Sequence, residues 1–455
     1  DGQFSAGSPS ERLVPADAAE RIAIARRVVA DRCLYGVDIN PMAAEMAKLS
    51  LWLITMDKNR PFTFLDHAFK CGDSLLGITT TKDLDWFYID HASGQQRLGG
   101  CAGLITELAQ LRARLEALPS ETPEDIAAKA ALLEEAQARA WQLHILADAW
   151  SGAGLTYAKV KARAAYLSAA ALSDIGTLEA EAKRMLTHRR PLHWALEFPE
   201  VIKQGGFHAF VGNPPFIGGQ KITGALGTDY RDYIVEQLAG GRKGSADLCA
   251  YFFLQAGRLL RPGGMAGLIA TNTIAQGDSR EVGLDQLLAG GFCLPRAIPS
   301  APWPGTAALE VAHVWLHKGD WQGSFILKHA PVAGITALLT PPGRISGKPH
   351  RLKANENKSF QGSIVLGMGF VLTPEEAAAL IQRNPSNRDC LFPYLNGEDL
   401  NSRPDQSASR WVINFHDWPL NRLGEGTWLT ADDKARRDWL RSGVVPGDYP
   451  GAVAA

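Results

Sequence analysis

Four consecutive residues, Asn213-Pro214-Pro215-Phe216, follow an apolar run that ends at Gly212 and carry the clearest chemical signal in the sequence. The Asn213 side-chain oxygen can accept a hydrogen bond, and so can the Pro214 carbonyl, because consecutive prolines fix φ and remove competing amide donors. Two acceptors on one exocyclic amine would make its nitrogen more tetrahedral and turn its lone pair toward a methyl donor. Phe216 offers a ring on which a base can stack. The pattern predicts methylation of a planar nitrogen such as that of adenine, by in-line displacement from a sulfonium and without a metal.

The position of this tetrapeptide favours a site over a plain turn. By itself, Asn-Pro is a common turn starter and Pro-Pro is a common loop element. Here the four residues follow a predicted strand over Phe207–Gly212. Ligands of open α/β sheets bind at the carboxyl ends of strands, which is where the tetrapeptide falls.

Two acidic residues earlier in the chain have the chemistry of a nucleoside site. Asp38 ends the short apolar run Cys33–Val37, and a carboxylate there can accept hydrogen bonds from both hydroxyls of a ribose. Asp73 lies in the loop Cys71–Leu76 and can accept the amino group of a cofactor's adenine. Either residue alone is more typical of a simple Asx turn.

The elements that must position these residues alternate between strand and helix. Asn40 predicts a helix N-cap with Pro41 at the first helical position. Further apolar runs predict strands over 265–270 and 311–316 and an amphipathic helix over 247–260. This order predicts an α/β fold with a doubly wound sheet. Four apolar residues fall at helical spacing on one face of the helix after Asn40: Met42, Met46, Leu49 and Leu53.

Residues 103–185 have a different character, which predicts a helical hairpin inserted into the α/β pattern. Leucines recur there in steps of four and three from Leu104 to Leu118, as in a coiled seam. Thr122-Pro123 then predicts the cap and first position of a second helix. That helix would fold back on the first.

Composition sets further bounds on function. The 455 residues are 46% hydrophobic and 21% charged, as in a globular protein large enough for two or three domains. Lys and Arg number 47 against 48 Asp and Glu, so a nucleic-acid surface would have to be a local patch. The six scattered cysteines lack zinc spacing and suit a reducing cytoplasm, and no apolar run reaches the ~18 residues of a membrane span.

The motifs, taken in order, resemble those of the gamma-type adenine-specific DNA methyltransferases, in particular the large Eco57I-like enzymes of restriction–modification and phage-defence systems. The segment Tyr35–Pro41 resembles their cofactor-ribose motif, and Phe64–Leu75 resembles the segment that contacts the cofactor adenine. Val211–Phe216 resembles the catalytic motif. The resemblance covers most of residues 20–320 and extends more weakly to Phe392–Leu400, which resembles the entry to a target-recognition region.

The resemblance implies a Rossmann-like methyltransferase fold, S-adenosylmethionine as methyl donor, and an adenine flipped out of double-stranded DNA as acceptor. It assigns the cofactor to Asp38, Ile39, Asp73, Ser74 and Asn213, and catalysis to Asn213, Pro214, Pro215 and Phe216. The family's first motif is a glycine-rich turn that receives the methionine part of the cofactor. No such turn precedes Asp38. We therefore expect that the chain begins downstream of it and binds cofactor poorly by itself.

The expected organisation has four parts. Residues 1–102 form the first part of the methyltransferase core, 103–185 the helical insertion, 186–324 the catalytic part, and 325–455 a linker and the start of a target-recognition domain. Candidate DNA contacts are Lys221, Arg242 and Lys243, which are also typical of ordinary solvated surface, together with Trp303, which resembles a residue that edges the flipped base. Defence-system subunits are possible further partners.

Two other functions remain compatible with the sequence. One is methyl transfer to another planar nitrogen, in an RNA base or a glutamine amide, because the same Asn-Pro-Pro geometry serves those acceptors. The other is an inactive module that binds DNA or a partner subunit. No convincing constellation of acids and a lysine indicates a metal-dependent nuclease.

Overall fold

The structure, a computed structural model of the chain, separates into two compact units, Asp1–Ser346 and Gly347–Ala455. It describes residues 17–58, 60–85, 89–90, 95–96, 101–305, 309–343, 353–355, 358, 365, 368–416 and 418–451. All of the candidate catalytic, cofactor and DNA-contact residues lie in the first unit. The four-part division expected from the sequence stays a prediction.

The first unit alternates helices and strands around one large sheet. Its described helices are α1 (Ala18–Arg32), α2 (Pro41–Ile54), α3 (Lys82–Asp85), α4 (Cys101–Ala117), α5 (Pro123–Thr156), α6 (Val160–Ala170), α7 (Ile175–Leu186), α8 (Trp194–Glu197), α9 (Pro199–Lys203), α10 (Gly219–Leu226), α11 (Thr228–Gln237), α12 (Leu248–Leu259), α13 (Gly277–Val282) and α14 (Leu284–Ala289). Its described strands are β1 (Gly36–Asp38), β2 (Phe69–Cys71), β3 (Ile89–Asp90), β4 (Gln95–Gln96), β5 (Phe207–Gly212), β6 (Leu260–Thr271), β7 (Phe292–Pro302), β8 (Glu310–Lys318), β9 (Phe325–Leu327) and β10 (Ala330–Val332).

The large sheet has six strands in the order β10-β9-β7-β8-β6-β5, and β1 and β2 form a separate parallel pair. Strand β5 is parallel to β6, whereas β8 is antiparallel to both β6 and β7. Alternate residues of β6, among them Ala266 and Ala270, are buried because strand side chains point to opposite faces. The expected α/β class is confirmed, with a mixed sheet.

Several local predictions are confirmed. Strand β5 has the predicted bounds, and helix α2 begins at Pro41 with the Asn40 side chain accepting a hydrogen bond from the Met42 amide at 3.0 Å. Helix α12 is capped by Asp247. Strand β6 begins earlier than predicted, at Leu260, because its register with β5 shifts and absorbs the Pro-Gly-Gly segment.

Strand β7 is the main element that the sequence did not indicate. It carries Pro295, Pro299 and Pro302, and proline normally argues against a strand because it lacks an amide donor. The register of β7 with β8 shifts between Cys293 and Arg296 and again between Ile298 and Ala301. Bulges at these points accommodate the missing amide donors.

Helices α4 and α5 form the predicted hairpin, and α6 and α7 follow it within the residues expected to form the insertion. Leu108 and Leu115 of α4 are buried, and Thr122 and Asp125 form a capping box at the start of α5. Buried ion pairs tie this hairpin to the rest of the unit. Arg112 binds Glu200 of α9 at 3.0 Å, and Lys129 binds Asp31 of α1 at 2.9 Å.

The second unit contains helices α15 (Pro374–Arg383), α16 (Gly397–Ser402) and α17 (Asp433–Ser442) and strands β11 (Val371–Leu372), β12 (Leu391–Tyr394), β13 (Arg410–Ile413), β14 (Asn421–Gly424) and β15 (Val444–Pro446). Strand β13 pairs with β11 and β12 in an antiparallel sheet. Across the described ranges of both units, no helix combines the length and the apolar character needed to cross a membrane.

Candidate functional site

The catalytic candidates lie in a loop at the carboxyl end of β5, at one edge of the large sheet. Gly212 is the last residue of the strand, Asn213 and Pro215 are exposed, and Pro214 is buried. Burial of the first proline fixes the backbone on which the Asn213 side chain stands, and leaves that side chain accessible to a ligand.

We call residues 213–218 the catalytic loop after their predicted role, and a hydrogen bond joins this loop to helix α12. The Leu248 amide at the start of α12 donates a hydrogen bond to the Ile217 carbonyl at 2.9 Å. Gly219, the residue after the loop, lies close to the backbone that precedes α12. A methyl group added at Gly219 would lie 2.1 Å from the Ser245 carbonyl carbon, which leaves no room for a side chain. The absence of a side chain at Gly219 therefore permits the loop to approach α12 closely.

We expect Gly219→Ala to lower methyl transfer by about 10²-fold, the effect of an ~1 Å displacement of reacting groups. The added methyl group would meet rigid backbone, so the loop must move. Rates in single turnover measure this effect. Gly224→Ala is the matched control, because it lies on the same helix α10 and its added methyl group meets open space. An equal loss of rate in both variants would contradict the role of the close approach.

The aromatic ring of the loop faces Trp303, which follows the end of β7. The centroids of Phe216 and Trp303 are 6.4 Å apart and the rings are perpendicular. Both side chains are half-buried. To enclose a base, the two rings would have to be parallel, with one ring on each face of the base. Trp303 would therefore have to rotate before it could cover a base stacked on Phe216.

The two acidic candidates lie at the carboxyl ends of neighbouring strands. Asp38 ends β1 and is paired with Cys71 of β2, and its carbonyl accepts a hydrogen bond from the Gly72 amide at 3.0 Å. The Asp38 side chain is at the surface, where its Oδ1 accepts a hydrogen bond from the Asn40 amide at 2.7 Å. Ile39 beside it is 65% exposed, an apolar surface next to a carboxylate.

Asp73 is more enclosed than Asp38. Its Oδ1 accepts hydrogen bonds from the Leu75 amide at 3.0 Å and from the Tyr230 hydroxyl of α11 at 3.2 Å. Desolvation raises the pKa of Asp73, and these hydrogen bonds act in the opposite direction, as does the charge of Arg189. Both acids therefore make the Asx-type contacts of turn residues, and each keeps acceptor capacity because a carboxylate has about four lone-pair positions.

Ser74 connects the acidic loop to the rest of the site. Its carbonyl accepts hydrogen bonds from the Trp194 indole at 3.0 Å and from the Gln255 side chain at 2.8 Å. The Trp194 ring packs edge-on against Phe210 of β5 at 6.0 Å. Because Gln255 belongs to α12, this helix holds both the Ser74 loop and, at its other end, the catalytic loop.

Asp38, Asp73 and Ser74 therefore lie on adjacent segments, and helix α12 contacts both the Ser74 loop and the catalytic loop. In the part of the chain that the structure describes, no hydrogen bond joins Asn213 to either carboxylate. A cavity of about 250 Å³ lies elsewhere, against the helical hairpin, and contains none of these residues; charged and polar side chains that line it include Lys70, Arg112, His144 and Glu197.

Three supporting residues had no signal in the sequence. Trp194, Tyr230 and Gln255 are all buried, with 5%, 5% and 3% of their surface exposed. In the sequence, nothing distinguishes each of them from the other core residues of its own segment. Only the folded chain brings their polar atoms to the 73–77 loop.

The candidate DNA contacts other than Trp303 lie on the surface beside the catalytic loop. Lys221 is exposed on α10, and Arg242 and Lys243 are exposed in the segment before α12. Arg242 also donates a hydrogen bond to the Glu281 carbonyl at 3.3 Å. The close approach of Gly219 to Ser245 brings the start of α10 next to the end of the segment that precedes α12.

Comparison with solved structures finds distant likenesses. The type IIL restriction-modification enzyme MmeI, solved in complex with DNA, is 16% identical, with 62% of this chain and 42% of that chain covered and a TM-score of 0.38. The type IIG restriction endonuclease BpuSI is 14% identical, with 53% and 37% covered and a TM-score of 0.21. A protein of Listeria monocytogenes described as a class I S-adenosylmethionine-dependent methyltransferase is 13% identical, with 33% and 44% covered and a TM-score of 0.22. The chain thus spans less than half the length of each.

Comparison at the level of sequence identifies the family of the chain. No curated protein matches the chain significantly. The family profile described as Eco57I restriction-modification methylase matches residues 32–97 and 105–288, which is more than half of the chain and includes Asp38, Asp73 and the catalytic loop. The expected Rossmann-like methyltransferase class is consistent with this match and with the observed sheet. The chain belongs to the Eco57I restriction-modification methylase family.

Proposed function

We propose that this protein transfers a methyl group from S-adenosylmethionine to the exocyclic amine of an adenine flipped out of double-stranded DNA, within a restriction–modification or phage-defence system. The observation that carries the proposal is the Asn213–Phe216 loop at the carboxyl end of β5, in a member of a restriction-modification methylase family. Open α/β sheets bind their ligands at this end of the strands.

The chemistry proposed for the loop follows from its acceptors. The Asn213 amide oxygen and the Pro214 carbonyl would each accept one hydrogen bond from the adenine amine. This localises the nitrogen lone pair, which is otherwise delocalised into the ring. Phe216 would stack on one face of the base, and a rotated Trp303 would cover its other face or edge. Positioning accounts for most of the acceleration.

The residues near β1 and β2 suit the nucleoside end of S-adenosylmethionine. Asp38 offers an exposed carboxylate to the ribose hydroxyls, and Asp73 retains acceptor capacity for the adenine amine. Ile39 offers an exposed apolar side chain to the ring, and two hydrogen bonds to the Ser74 carbonyl hold the Ser74 loop. When bound, the cofactor supplies an electrophilic methyl group on a sulfonium. These carboxylate acceptors are therefore complementary to a nucleoside, whose hydroxyl and amino groups are hydrogen-bond donors.

A basic patch beside the loop supports DNA as the substrate. Lys221, Arg242 and Lys243 flank the catalytic loop on the surface, where phosphate contacts would fix the duplex. The net charge of −1 gives no general attraction to DNA, so binding would depend on this local patch and weaken steeply with salt. Other subunits of the defence system are proposed as further partners.

The test is methyl transfer by the intact protein. Radiolabelled S-adenosylmethionine is supplied with duplex DNA that contains adenine, with duplex RNA and with total protein, and the product is identified by mass spectrometry of nucleosides. We expect label in DNA as N6-methyladenine. Label in RNA or protein but not in DNA would contradict the proposal that DNA is the substrate. Binding of the cofactor without methyl transfer to any acceptor would indicate an inactive module.

A further inference from the structure

Helix α11 contacts both ends of the loop that contains Asp73. The Tyr230 hydroxyl donates a hydrogen bond to Asp73 Oδ1 at 3.2 Å. Tyr233, one helical turn later, accepts a hydrogen bond from the Gly77 amide at 3.3 Å. Residues three apart lie on the same face of a helix, so these two hydroxyls grip the 73–77 segment together. Both side chains are buried, with 5% and 3% of their surface exposed.

The Tyr230 side chain is itself held in place. The Arg189 guanidinium lies 5.2 Å from the centroid of the Tyr230 ring. Arg189 also binds Asp229 at 2.8 Å and donates a hydrogen bond to the Leu226 carbonyl at 2.9 Å. The ring therefore has a fixed cation on its face, and the hydroxyl has little freedom to leave Asp73.

These contacts exceed what a turn residue requires. The Leu75 amide alone completes the Asx turn at Asp73. A second donor, delivered from a distant helix, orients the carboxylate further. It also favours the ionised form, which only accepts hydrogen bonds, over the protonated form, which would present a donor to an amine.

We propose that Tyr230 is a positioning residue for the cofactor, and that its hydroxyl holds the Asp73 carboxylate in the orientation that accepts the adenine amine of S-adenosylmethionine. This rests on the proposed function. Tyr230 need not contact the cofactor, and it acts through Asp73.

Binding of two nucleosides to the intact protein separates this role from a structural one. The probes are S-adenosylhomocysteine and its 6-oxo analogue S-inosylhomocysteine, which lacks the amine. We expect Tyr230→Phe to weaken binding of the adenosyl compound about tenfold, the effect of losing about 1.4 kcal/mol. We expect the inosyl compound to bind weakly to the wild type, because it lacks the amine. Tyr230→Phe should leave the affinity for the inosyl compound unchanged. Calorimetry measures both dissociation constants.

Tyr166→Phe is the matched control. Its hydroxyl donates a hydrogen bond to Glu181 at 2.9 Å within the helical insertion, so the variant loses the same kind of bond far from Asp73 in the sequence. We expect it to lose thermal stability comparable to that lost by Tyr230→Phe, with unchanged affinity for both nucleosides. Equal weakening of both nucleosides in Tyr230→Phe would show a merely structural role and overturn the proposal.

The pH profile gives an independent readout. The ionisable groups that act on Asp73 are Tyr230 and Arg189, with Tyr233 beside them. Losing the Tyr230 hydrogen bond raises the pKa of Asp73 further, so the fall in adenosyl affinity at acid pH should move to higher pH in Tyr230→Phe. An unmoved profile overturns the proposal.

Different results would contradict the proposed function and the role of Tyr230. If the intact wild-type protein binds neither S-adenosylmethionine nor S-adenosylhomocysteine, the proposed function and this proposal are both wrong. If the wild type binds, Asp73→Asn weakens binding, and Tyr230→Phe binds like the wild type, only the role of Tyr230 is wrong.

Discussion

Asn213→Ala is expected to lower the rate of methyl transfer at saturating cofactor about 10³-fold, with the fold intact. The substitution removes one of two acceptors for the amine, and losing one preorganised hydrogen-bond group at a reacting centre costs about 10²–10³-fold in rate. The loss should reach the upper end because the remaining acceptor alone cannot localise the lone pair. Since Asn213 is exposed, the midpoint of thermal unfolding should stay within ~2 °C of the wild type.

Asn213→Asp is the informative companion. It keeps an oxygen acceptor at the same position but replaces the amide nitrogen by a second oxygen and adds a negative charge, so it should retain more activity than Asn213→Ala. Single-turnover rates with saturating cofactor and duplex DNA measure the comparison. A rate for Asn213→Ala above a tenth of the wild-type rate would reject the assigned role of this side chain.

Arg112→Ala is expected to lower the free energy of unfolding by about 3–5 kcal/mol, the usual cost of breaking a buried ion pair. This is the largest loss of stability that we predict for any single substitution in this protein. Arg112 makes two hydrogen bonds to Glu200, at 3.0 and 3.1 Å, and one to the His67 carbonyl at 2.7 Å. Its side chain is 4% exposed and that of Glu200 is 3% exposed. The substitution would leave a buried carboxylate without its counter-charge.

Arg139→Ala on the same helical hairpin is the control. Arg139 pairs with Glu107 and Glu135 at 2.9 Å each, but its side chain is 48% exposed, so its loss should lower the free energy of unfolding far less than the loss of Arg112. Urea unfolding followed by circular dichroism measures both variants. Replacing Arg112 and Glu200 together by Met and Leu should recover part of the loss, because no charge then remains buried and unpaired. Equal effects at Arg112 and Arg139 would contradict the importance of burial.

Local features of this fold were predictable because their causes are local. The apolar run 207–212 forms β5 with those bounds, and the Asn40-Pro41 pair begins α2 as a capping side chain and a preset φ require. The leucine spacing in 104–118 predicted the buried seam of α4. Such signals involve residues at most a few positions apart.

Other features depended on distant parts of the chain. The spacing indicates an apolar face of α2, formed by Met42, Met46, Leu49 and Leu53, yet these side chains are 51–69% exposed. Helical periodicity shows which residues share a face, but it does not show whether another part of the protein covers that face. Strand β7 was missed because its prolines argue against a strand, and only its bulged pairing with β8 accommodates them.

The candidate site shows the same division. Residue type and order were enough to single out Asn213, Asp38 and Asp73, since acceptor chemistry belongs to the side chain itself. The sequence by itself also determined the family, through motifs matched in order. What only the tertiary structure decided is how these acceptors are held: Leu248 on the catalytic loop, Gln255 on Ser74, Tyr230 on Asp73. Each support is a single polar atom on an otherwise ordinary core residue. The hydrogen bonds of Gln255 and Tyr230 join segments more than a hundred residues apart, and such a bond leaves no periodic trace in either segment.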